Sequence, residues 1–142
     1  MNVFLKTQTP ALSALAPGAL SALTLVTARW LTPSPTGVGT HRQLGFPPCI
    51  FLTLSGWPCP GCGLTTSFAH AARLDFAAAW HAHPFGPLAF LLTLSLIPLS
   101  LWLARRHASF ADVWRIRLTK PALAFLLLWW LAGWVYKINT IG

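Results

Sequence analysis

Charge is what this chain has least of. Charged residues make up 8% of its 142 positions, where an ordinary soluble domain carries about 25%. Only two are acidic, Asp75 and Asp112. A chain of this size cannot clothe a soluble surface with so few charges. With 55% hydrophobic residues and a mean hydropathy of +0.60, its main solvent is lipid. No internal repeat is present. No alternation of strand and helix patterns surrounds the cysteines, which excludes a thioredoxin fold. The length suits one domain, residues 1–142.

The few charges that exist are mostly positive, for a net charge of +8. That balance invites a nucleic-acid reading, but the cations are thinly spread. Arg105, Arg106, Arg115, Arg117 and Lys120 crowd one short stretch between two long apolar runs. That is how a cytoplasmic loop looks under the positive-inside rule. The expected partners are membrane lipids and, through the helices, another membrane protein; nucleic acid is not expected.

Three apolar runs predict an all-α integral membrane protein with spans at about 8–28, 84–104 and 120–138. None of the runs shows a polar face, as a helix of a soluble bundle would. The first contains Pro17 and Gly18, a kink that lipid-embedded helices tolerate. The third opens with Pro121, suited to a first helical turn. Lys120 and Lys137 flank it and are expected to snorkel outward. Trp30, Trp102 and Trp134 fit an interfacial belt, and Trp129 and Trp130 are expected to pack between helices. With the basic loop cytoplasmic, the N-terminus is also cytoplasmic and residues 29–83 face outward. Ala28-Arg29-Trp30 is a poor cleavage site for a signal peptide, so the first helix is expected to be retained.

The segment 44–83 is too apolar for a wet loop. It is also too broken by Pro47, Pro48, Pro58, Pro60 and Gly61 for a span. It reads as an interfacial or re-entrant helical segment. Short helices are expected near 50–54 and 63–72. A third should be capped by Asp75 and end before His83-Pro84, because a residue before proline resists helical geometry.

All three cysteines lie here: Cys49, Cys59 and Cys62. A two-residue gap permits a disulfide, a metal site or simple packing. The plain reading of Cys-Pro-Gly-Cys is a structural disulfide or a tight packing turn. Placed at a helix N-terminus, Cys59 and Cys62 are also a candidate redox pair, because the partial positive charge there stabilises a thiolate. For a metal, the candidates are Cys49, Cys59, Cys62 and His70, with His81 and His83 nearby. The C-x2-C-x7-H spacing matches no familiar zinc finger, and it is Cys49 that supplies a third sulfur. Thr65, Thr66 and Ser67 lack a compelling acid–base partner, and helix capping or back-bonding explains them. Asp75 could pair with Arg73 or Arg42. No catalytic residue and no resident cofactor is assigned.

The string CPGCGLTTSFAHAARLDFAAAWHAHPFGPL resembles the signature of a small bacterial membrane family, domain of unknown function 2752. The matching positions are Cys59, Pro60, Cys62, Gly63, Leu64, Thr65, Asp75, His83 and Pro84, with Cys49 as the usual upstream cysteine. The resemblance spans roughly residues 45–105. It implies a bacterial inner-membrane location and a shared fold, and no established activity. Many members carry arginine after the threonine, where this chain has Thr66. The resulting expectation is a structural or accessory membrane protein whose Cys-Pro-Gly-Cys loop stabilises the fold or binds a partner. A thiol–disulfide component and a metal-binding protein are the alternatives.

Overall fold

The computed structural model describes residues 3–106, 108 and 119–141. It is all-helical among the described residues. Most of the basic stretch, with Arg115, Arg117 and Asp112, lies outside them, as do the side chains of residues 3–12.

Helix α1 runs Val3–Trp30. A short 3-10 turn, Thr40–Leu44, follows. Then come α2 (Ile50–Ser55), α3 (Leu64–Ala71), α4 (Phe76–Ala82), α5 (Gly86–Arg105) and α6 (Thr119–Ile141). The third apolar run is therefore longer as a helix than its apolar core. Two stretches are long and apolar enough to cross a membrane: Gly86–Arg105 and Lys120–Thr140. Only 17% and 11% of their most apolar windows are buried. A core helix of a soluble bundle would be mostly enclosed, so these two helices are not serving as one. Leu91, Leu94 and Leu101 on α5, and Phe125 and Leu128 on α6, point outward. Helix α1 has 28 residues, about 42 Å at 1.5 Å per residue.

Helices α1 and α5 form the principal pair, with α3 and α4 packed beside them. Gly18 allows the close crossing. A Cβ there would lie 2.7 Å from Cβ of Ser100, so only a glycine lets the two backbones approach this closely. Ala71, Ala79 and Phe90 make a small core joined by Leu25, Phe68 and Ala72. Phe90 receives Phe68 and Phe76 edge-on, at centroid distances of 5.7 and 6.5 Å.

The breaks fall where local chemistry demands them. The Asp75 carboxylate accepts the backbone N–H of Ala78 at 3.0 Å and caps α4. His83, before Pro84, is extended and ends α4. The 31–44 loop is pinned by its polar side chains. Gln43 exchanges two hydrogen bonds with the backbone of Thr32. Thr40 accepts from Ser34 N–H at 3.0 Å, and its hydroxyl meets that of Thr66 on α3 at 2.8 Å.

Candidate metal centre

Cys49 arrives at the site through Pro47 and Pro48 and caps α2. Its carbonyl accepts the backbone N–H and the hydroxyl of Thr53. Gly56, with φ of 73°, closes that helix, and the chain reverses into Pro58-Cys59-Pro60-Gly61-Cys62. The N–H of Cys62 bonds the carbonyl of Cys59 at 2.9 Å, making a β-turn with proline at its favoured second position. The turn sets the two sulfurs 3.1 Å apart. The three Sγ atoms of Cys49, Cys59 and Cys62 all lie within 4.8 Å of one another. All three are free thiols.

Gly63 is what lets this turn sit down on the helices. Its φ is 90°, and a Cβ there would collide with the carbonyl oxygen of Ala82 and lie 2.9 Å from that of Gly37. Two independent requirements, a left-handed backbone and close approach, both select glycine.

His83 holds the turn from the other side. It is fully buried. Its Nδ1 accepts the N–H of Phe85 at 3.2 Å, which leaves the proton on Nε2 for the carbonyl of Pro60, also at 3.2 Å. Burial pushes its pKa below the usual 6.5, opposed by the Pro60 bond and aided by the charge of Lys137. Neutral His83 is therefore a clamp on the turn. Helix α6 supplies a second clamp: the indole N–H of Trp134 bonds the carbonyl of Pro58 at 2.8 Å.

The three thiols are electrostatically unequal. Hydrogen bonding from the backbone N–H of Leu52 draws the Cys49 pKa below the ordinary 9.0, against partial burial, with help from the other two cysteines and Phe51. Burial pushes Cys62 up to about 12, reinforced by its hydrogen bond with Cys59. The sulfurs line a cavity of about 450 Å³ that also touches His41, Arg42 and Thr66.

Of the metal-ligand candidates, the structure brings the three cysteines together and leaves His70 out of the cluster. His70 Nδ1 instead pairs with the Asp75 carboxylate at 3.5 Å, the position expected of Arg73 or Arg42. Arg73 donates to the carbonyl of Ala69, and more weakly to that of Ala28. Thr66 and Ser67 do not back-bond as expected. Ser67 donates across to the carbonyl of Ala79 at 2.7 Å, and Thr66 bonds Thr40. Trp134 and Lys137, read as interfacial and snorkelling residues, both turn inward; Lys137 is only 4% exposed. The signal for them was their spacing of three on one helix face.

Residues 49–97 match the family model described as a protein of unknown function, DUF2752. The match begins at Cys49 and takes in all three cysteines, together with Gly63 and His83. DUF2752 thus covers the candidate centre and most of α5, about a third of the chain. Neither a curated protein nor a solved structure matches the chain.

Proposed function

We propose that this chain is a three-span membrane protein that binds one thiophilic d10 ion, zinc(II) or copper(I), on Cys49, Cys59 and Cys62 at the outer face of a bacterial inner membrane. The observation that carries the reading is the convergence of three sulfurs within 4.8 Å. Tetrahedral zinc with bonds of about 2.3 Å sets its sulfurs roughly 3.8 Å apart, so small side-chain rotations convert the cluster into a ligand set. Soft thiolates favour these ions over hard ones. Three protein ligands facing a cavity leave room for an exchangeable fourth, as in sites that transfer or activate rather than only brace.

The three-span topology is supported by which helix ends meet. The end of α1 meets Arg73 through Ala28, and α5 starts just after His83. The late turns of α6 reach the cysteine turn through Trp134. All three ends lie together, as they would if each helix crossed between the same two faces. The basic stretch then falls on the opposite face, the cytoplasmic one.

The test is titration of anaerobically purified, reduced protein with zinc(II), copper(I) and cadmium(II), following the thiolate-to-metal ultraviolet band and metal content. One ion per chain is expected, with loss of binding in each single Cys→Ser variant. Cys49→Ser is the decisive one. A second reading rests on the 3.1 Å separation of Cys59 and Cys62, which suits a dithiol pair. Under that reading no ion is retained, and the Cys49→Ser variant still forms the 59–62 disulfide and exchanges with added thiols.

A further inference from the structure

We propose that Lys137 is the buried counter-cation of the cysteine cluster, so that α6 is fastened to the site by charge; the proposal rests on the thiolate-site reading above. Three thiolates around a monovalent or divalent ion leave a net charge of about −2 or −1. In a buried site that charge needs compensation. Among the described residues there is a single acid, Asp75, and it is paired with His70. Among the described residues no carboxylate side chain is left to answer Lys137.

The packing points the same way. Lys137 is 4% exposed although it stands near the end of a helix otherwise open to its surroundings. A Cβ on Gly37 would lie 3.1 Å from its Nζ. Gly37 in turn approaches Gly63, the neighbour of Cys62, whose own Cβ would lie 2.9 Å from the Gly37 carbonyl. The ammonium thus sits against Gly37, which in turn packs on the neighbour of Cys62. One turn earlier, Trp134 bonds Pro58, the neighbour of Cys59. Gly133 lets His83 close in, since a Cβ there would lie 2.9 Å from the imidazole Cε1. Residues 133, 134 and 137 thus meet the turn and its clamp as one face. A lysine serving only for topology would extend its amine to the headgroups; this one is folded into protein instead.

The experiment compares the full chain with Lys137→Met and Lys137→Arg in detergent micelles. Affinity for cadmium(II) and zinc(II) is read by chelator competition, and the melting of the metal-free form is read alongside. Met should weaken binding by roughly ten- to a hundredfold, the range for outer-shell partners of metal ligands. Arg should recover most of it, and the metal-free melting of the two variants should be similar. Equal affinity in Met and wild type would overturn the proposal. Should the Met variant fail to fold, Lys137→Gln makes the same comparison. If wild type binds neither ion, the metal reading fails separately. The pairing is then read from the alkylation rate of Cys62 at a fixed alkaline pH. A slower rate in Met than in wild type and Arg sustains it, and equal rates overturn it.

Discussion

His83 Nε2 lies 3.2 Å from the carbonyl oxygen of Pro60, joining the end of α4 to the cysteine turn 23 residues earlier in the chain. The bond requires the imidazole proton on Nε2, because Nδ1 is committed to Phe85. It makes the geometry of Cys59 and Cys62 depend on a residue outside the motif.

His83→Ala should therefore destabilise the metal-free protein by about 2–4 kcal/mol, combining a cavity with an orphaned carbonyl. The pH dependence has a definite sign. The folded pKa is lowered from 6.5, so below that value the unfolded chain takes up the proton first. Stability from this residue is present above pH 6.5 and is lost as pH falls below it. Thermal melts of wild type should decline on acidification through that range, and melts of the variant should decline less. Parallel pH profiles would remove His83 as the cause.

Thiol reactivity should follow the electrostatics. Cys49 is partly exposed and its pKa is lowered, whereas Cys62 is buried and raised to about 12. Since the thiolate is the reacting species, iodoacetamide at neutral pH should label Cys49 first and Cys62 last in reduced, metal-free protein. Mass mapping of peptides quenched over time reads the order. Added zinc should suppress labelling at all three together, because ligation ties up every thiolate.

Two glycines with similar backbone angles should respond very differently to alanine. Gly63 and Gly56 have φ of 90° and 73°. At Gly56 an added Cβ meets nothing within 4 Å, so only the left-handed backbone is penalised, at about 1–2 kcal/mol. At Gly63 the methyl also meets the carbonyls of Ala82 and Gly37. Gly63→Ala should cost about 3 kcal/mol or more and abolish metal retention. Urea or thermal unfolding of the two variants side by side measures the difference.

Local features were legible because local chemistry makes them. Asp75 as a cap, the end of α4 before Pro84 and the helix beginning at Ile50 all follow from side-chain hydrogen bonding and proline sterics. The apolar runs marked α5 and α6 because length and hydropathy are also properties of a contiguous stretch. Contacts across loops left no such trace. That Cys49 joins Cys59 and Cys62 depends on the reversal after Gly56, and spacing alone cannot distinguish a third ligand from a bystander. Lys137 at the edge of an apolar run looks like any snorkelling lysine; its burial follows from the approach of Gly37, 100 residues away in sequence. His70 was a plausible ligand by type, but a short turn delivers it to Asp75 instead.

Orientation is the remaining expectation, and it rests on charge. Arg105, Arg106, Arg115, Arg117 and Lys120 fall within sixteen residues, whereas 29–83 holds Arg29, Arg42 and Arg73 over fifty-five. Cytoplasmic retention of the denser loop sets the N-terminus inside, provided α1 crosses, and the C-terminus outside. Alkaline phosphatase, which needs an oxidising compartment to fold, should then be inactive when fused after Lys120 and active after Gly142. The structure supplies an internal control. Because Trp134 bonds Pro58, the end of α6 and the cysteine turn must share a face, so an impermeant thiol reagent applied to intact cells should reach Cys49 whenever the Gly142 fusion is active. An active fusion with Cys49 protected even under reducing, metal-depleted conditions would separate the two and sink the three-span arrangement. Inactivity after Gly142 combined with activity after Lys120 would invert the orientation and move the cysteine site to the cytoplasmic face, where reduced thiols persist without a metal.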